Sequence, residues 1–174
     1  MALRREIDLG LVRELRNPDI ESRPLYDDEL VLVAHASHPF ASRDHIDLRE
    51  MAGARLILFD RTSSYYDLTN AFFREAGVAP NGVMELDNID AAKQMVGQGL
   101  GIALLPHTAV AAELADGRLR AITIAGAAPI RRRIVAIRRR DLGAVAGPTA
   151  AFLEILAGVG EILPGAPAGR PADP

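Results

Sequence analysis

Hydroxyl, guanidinium and imidazole groups recur in this chain at spacings that could do chemistry, and each pattern admits more than one use. Thr62, Ser63 and Ser64 are consecutive and follow an apolar run. At a helix start their hydroxyls and the first free N–H groups could hold an anion. One of them could equally serve as an ordinary N-cap. Val12 closes the run IDLGLV at 7–12, and Arg13 follows it. A guanidinium at a strand end suits a carboxylate through a bidentate pair, although arginine is common on the surface of this chain. His35 and His38 have the spacing of metal ligands. A zinc site needs more ligands than these two, so no metal is expected.

Other charged clusters read more plainly. Arg131 to Arg133 and Arg138 to Arg140 invite a nucleic-acid reading, but they bracket the apolar stretch 134–137 and read as solvated strand ends. The aromatic interleaving that stacks bases is missing, and the chain has no tryptophan. Asp27, Asp28 and Glu29 read as a solvated acidic cluster. No serine lies in a G-x-S-x-G elbow, so no enzyme and no cofactor are expected. With no cysteine, disulfides and thiolate zinc sites are excluded. A net charge of -3 gives no overall basic footprint.

The elements that must position these residues can be read from periodicity. The 174 residues, 49% hydrophobic and 25% charged, suit one globular domain or two small lobes. No apolar run is long enough to span a membrane and no secretory signal is evident, so a cytoplasmic location is expected. The chain is organised around 96–107, VGQGLGIALLPH. A helix over 89–98, with Ile89, Ala92, Met95 and Val96 on one face, ends on Gly97, Gly99 and Gly101. It leads to a strand at 102–105, buried on both faces and stopped by Pro106, as in a parallel α/β sheet.

Ahead of this segment, a strand is expected at 7–12 with Leu9 and Leu11 on one face. A loop at 13–20 turns on Asn17-Pro18, and a strand follows at 30–35. The stretch 36–43 reads as a loop, and 46–51 as a short helix starting near Asp44 or His45. A strand at 56–59 leads through 60–64 to a helix at about 65–76, with Ser64 and Asp67 as a capping-box variant and Gly77 closing it. Strands at 83–86, 119–124 and 130–140 and a helix at 108–114 complete the alternation. A final amphipathic helix at 148–162 carries Phe152, Ile155, Leu156, Val159 and Leu163. The Pro-, Gly- and Ala-rich 164–174 is expected to be disordered. Alternating strands and helices argue for an α/β fold.

In chain order, IDLGLV, LYDDELVLVAHASHPFA, IDLREMAGARLILFD, MVGQGLGIALLP, GRLRAITI, RRRIVAIRRR and TAAFLEIL together resemble the effector-binding region of LysR-type transcriptional regulators. The resemblance covers nearly the whole expected ordered chain. It implies a type II periplasmic-binding-protein-like fold, two lobes with mainly parallel central sheets. Lobe I would comprise 1–22 with 123–163 and be incomplete, and lobe II would comprise 23–122. The family's winged helix-turn-helix, linker helix and first strand-helix units have no counterpart here, so DNA contact is expected only through a helix-turn-helix absent from this chain.

The resemblance also implies that a small, anionic effector binds in an interlobe cleft. Val12, Arg13, Thr62, Ser63 and Ser64 would face it, and Gly101 and Ile102 would line it by analogy alone. Family members pair side by side as homo-oligomers. The 83–86 strand and the 89–98 helix would supply the lobe II face, in a contact weakened here by the missing lobe I units. No membrane partner is implied. A stand-alone small-molecule-binding protein of the same fold is the alternative; an enzyme or an inert fragment are the remaining readings.

Overall fold

The computed structural model describes residues 7–80, 84–143 and 147–158. In order, the elements are β1 (Gly10–Arg13), β2 (Ile20–His35), β3 (Leu56–Phe59), α1 (Tyr66–Glu75), β4 (Met84–Leu86), α2 (Ile89–Gly97), β5 (Ile102–Pro106), α3 (His107–Ala115), β6 (Leu119–Ile122), β7 (Ile130–Arg139) and α4 (Gly147–Ala157). Two compact units emerge, Leu30–Ile130 and Met1–Glu29 with Arg131–Pro174. β2 and β7 each run through the division.

The Leu30–Ile130 unit is built around β5. Every residue of IALLP is buried, as expected for a strand covered on both faces. β5 pairs antiparallel with β2, Val33 opposite Ala103, and parallel with β3, Leu56 opposite Ile102. β3 in turn pairs parallel with β4, and β6 lies antiparallel on the other side of β2. The ladder is therefore mixed where a mainly parallel sheet was expected. The reason is β2, which runs against its neighbours: β5 and β6, joined to each other through α3, lie antiparallel on either side of it.

Helices supply the rest of this core, with Phe73 from α1, Ala92 and Val96 from α2 and Val110 from α3 all buried. α2 ends in a Schellman turn. Gly99 has φ +72°, and the Leu100 N–H donates to the Met95 carbonyl at 3.1 Å.

The other unit holds β1, β7 and the first half of β2. β1 pairs antiparallel with β7, Gly10 opposite Ile137. Alternation along β7 feeds two small cores. Val135 and Ile137 join Ile20, Ile7 and Val12, while Ile134 and Ala136 join Leu25, Leu156, Leu9 and Leu153.

Several expectations need correction. β2 begins at Ile20, not at residue 30. Its polar first half shows no apolar alternation and is held by cross-strand pairs such as Arg138 to Glu21 at 2.6 Å. Leu9 packs inward but Leu11 is exposed, while Val12, on the opposite face of the strand, joins the other small core. The expected helix at 46–51 is a 3-10 helix, Leu48–Gly53, capped by Asp47 and Glu50 in a capping box. Ile46, ahead of it, makes an isolated parallel bridge with Ile124, and β6 itself stops at Ile122. On α4, Leu156 is buried while Phe152 and Ile155 are exposed. Val83, Val159, Leu163 and 164–174 lie outside the described residues.

Candidate functional site

Three parallel strands of the Leu30–Ile130 unit each run directly into a helix: β3 into α1, β4 into α2 and β5 into α3. All three helices therefore start at the carboxyl edge of the same strands, the place where open α/β folds bind ligands. A helix N-terminus favours negative charge through its dipole and its first N–H groups.

The loop after β3 is fixed from both ends. The Asp60 N–H donates to the Leu86 carbonyl at 2.9 Å, tying it to the neighbouring strand end. Asp60 Oδ1 accepts from the Thr62 N–H at 2.8 Å and from Thr62 Oγ1 at 2.6 Å. The Thr62 hydroxyl and N–H hold the Asp60 carboxyl below its usual range. Ser63 Oγ accepts from the Tyr65 N–H at 3.2 Å. Tyr65 is buried, with its ring 5.0 Å from that of Phe59, and anchors the loop to the strand. Thr62 and Ser64 are exposed and Ser63 is half-buried.

No hydroxyl caps α1. Its N-cap residue is Tyr65, which makes no side-chain cap bond, so the Ser64–Asp67 capping box is not formed. The hydroxyls are engaged ahead of the helix instead, Thr62 with Asp60 and Ser63 with the Tyr65 N–H. The N-cap of α3, Pro106, likewise makes none, and the first turn of α3 carries no acid. α2 differs: Asn88 Oδ1 accepts from the Ala91 N–H at 3.0 Å, and Asp90 lies in its first turn. α1 also carries an acid, Asp67, in its first turn, so of the three helices α3 is the one with neither a side-chain cap nor a first-turn acid.

The expected site residues do not all gather there. Thr62, Ser63 and Ser64 stand at the carboxyl edge. Gly101 and Ile102 are buried at the opposite, amino end, since Ile102 pairs with Leu56 at the start of β3. Four strand residues at about 3.3 Å each separate the two ends. At the carboxyl edge β5 ends on Pro106, and His107 and Thr108 open α3. Val12 and Arg13 belong to the other unit, with Val12 packed on its core and Arg13 exposed opposite Ile134.

Sequence reasoning passed over Arg61, Asn88, His107 and Thr108. Arg61 is exposed, and its guanidinium stands 6.0 Å from the Tyr66 ring centroid. The missed signal was positional: Arg61 and Asn88 lie between a parallel strand and the helix that follows it, and His107 and Thr108 open such a helix.

The remaining clusters serve structure. His35 Nδ1 lies 2.7 Å from Ser37 Oγ, and His38 Nδ1 accepts from the Phe40 N–H at 3.1 Å. Burial pushes the His38 imidazole down. Among the described residues no group of three or more His, Asp or Glu side chains could hold a metal ion. The acidic cluster is not uniformly solvated, because Asp28 is 5% exposed. Nor are the arginine ends: Arg138 and Arg139 are largely covered and pair with Glu21 and Asp141. No helix among the described residues is long and apolar enough to cross a membrane.

The chain is 36% identical over 126 residues to the HTH-type transcriptional regulator CbbR of Xanthobacter flavus, covering 71% of this chain and 37% of that protein. It is 33% identical over 110 residues to the HTH-type transcriptional regulator GltR of Bacillus subtilis, covering 63% of this chain and 36% of that protein. The chain thus spans little more than a third of the length of these two relatives.

Among solved structures it is similar to the CcmR regulatory domain of Synechocystis PCC6803 in complex with 2-PG. The TM-score is 0.78 at 26% identity, over 91% of this chain and 76% of that one. The effector-binding domain of QuiR in complex with shikimate gives 0.70 at 26% identity, over 90% and 72%. The family model for the LysR substrate binding domain matches residues 1–160, and the chain belongs to that family.

Proposed function

We propose that this chain is the effector-sensing part of a LysR-type transcriptional regulator, taking up a small anionic molecule at the carboxyl edge of β3, β4 and β5. One observation carries the reading: three helices begin at that edge, and two of them, α1 and α3, lack side-chain caps. Thr62, Ser63 and Ser64 would supply hydroxyls and Arg61 a guanidinium. The similar domains bound to 2-PG and shikimate support a small polar ligand.

The relatives are transcription regulators, so the output proposed here is a change in transcription, not turnover. Ligand binding would shift the balance between conformations and so the DNA affinity of the assembled regulator. DNA contact would fall to a helix-turn-helix outside this chain. Side-by-side pairing would use β4 and α2 in the cytoplasm.

Thermal unfolding with a panel of small carboxylates and phosphorylated acids tests the reading. A saturable rise in melting temperature is expected for at least one acid, and it should be lost in Thr62→Val/Ser63→Ala. Neutral analogues raising the melting temperature equally would refute the anion preference.

A further inference from the structure

The covalent connection between the two compact units runs through two points, Glu29 to Leu30 on β2 and Ile130 to Arg131 on β7. Immediately beside these points, acidic residues on one strand face arginines on the other. Arg131 Nε lies 3.7 Å from Glu29 Oε2, and Arg133 Nε lies 3.0 Å from Asp27 Oδ1. Both pairs fit one antiparallel register, and that register sets Asp28 opposite Arg132. Alternation puts this middle pair on the other face of the strands.

There the surroundings differ. Asp28 is 5% exposed, whereas Arg131 and Arg133 expose about half of their side chains. The Tyr26 hydroxyl feels both members of the middle pair and is pushed up mainly by burial and then by Asp28.

We infer that these three acid–arginine rungs form a clamp that sets how readily the two linking strands open. Apolar packing does not explain their position. The apolar residues of β7 begin at Ile134, and Ile130 packs in the other unit's core. Between them the strands are held by backbone bonds and by charge. Two exposed rungs are sensitive to salt, while the covered middle rung is screened less. The clamp therefore makes the stiffness of the connection respond to ionic strength without affecting the packed core of Leu30–Ile130. It stands independently of what the carboxyl edge binds.

Hydrogen–deuterium exchange on the full chain tests this. The variant Asp27→Asn/Glu29→Gln removes the two outer rungs at partly exposed positions and keeps the middle one. Peptides covering 24–34 and 128–136 should exchange about fivefold faster than in the parent chain, while the peptide covering β5 is unchanged. Raising salt to about 1 M should do the same to the parent chain and little to the variant. Exchanging the charges, in Asp27→Arg/Glu29→Arg/Arg131→Asp/Arg133→Asp, should restore slow exchange. Unchanged rates at the linking strands would overturn the inference. So would acceleration spread equally into β5, or a charge exchange that restores nothing.

Discussion

The carbonyl oxygen of Arg55 lies 2.6 Å from where a Cβ on Gly101 would stand, and it accepts the Ile102 N–H at 3.0 Å. β5 enters the sheet at this point only because residue 101 has no side chain. The contacting atom is backbone, so it cannot swing away. Gly101→Ala should cost about 1–3 kcal/mol through displacement of β5 from β3, read as a lower urea midpoint with an unchanged slope. Gly97 has open space around its Cβ position, and Gly97→Ala should leave the midpoint nearly unchanged.

Core burial separates two leucine-sized side chains. Leu105 has no exposed surface, whereas Ile155 is 68% exposed. Leu105→Ala should destabilise by about 2–5 kcal/mol, and Ile155→Ala by less than about 0.5 kcal/mol. Equal costs in chemical denaturation would show that Ile155 is covered in solution.

Acid should act on Glu50. Arg43 donates to its two carboxylate oxygens at 2.6 and 2.9 Å, and the Asp47 N–H donates to one of them at 2.8 Å. These bonds pull the carboxyl from 4.5 to about 2. Because the folded value is depressed, the stabilisation is complete above about pH 4.5 and disappears as pH falls towards 2. Both side chains are exposed, which keeps the energetic effect small. In Arg43→Met, NMR titration should show Glu50 moving up towards the ordinary carboxylate range, the Asp47 bond remaining. An unmoved titration would place the cause elsewhere.

Legibility from sequence followed burial. The 102–106 run is apolar throughout, and both its strand character and its two-sided burial could be read because nothing polar in it offers another use. β2 was read only from Leu30, since Glu21, Ser22, Arg23 and Pro24 are exposed and their pairing depends on a strand more than a hundred residues away. The hydroxyl run at 62–64 was found by composition, but its cap was misassigned because α1 starts only at Tyr66, with Tyr65 in the N-cap position. Gly101 and Ile102 were placed by analogy at the wrong end of the strands. Parallel register alone decides which end of β5 meets the loop after β3, and register is not written in a four-residue apolar run.

The central claim is that the carboxyl edge of β3, β4 and β5 binds a small anion. Backbone amide NMR of the chain, titrated separately with shikimate and with 2-PG and then with the wider acid panel, tests it most directly. At least one acid should give saturable shifts at Arg61 to Asp67 and at His107 to Val110, with little change at Gly101 and Ile102. Saturable shifts confined to the Gly101–Ile102 end, or none from any acid in the panel, would contradict the account.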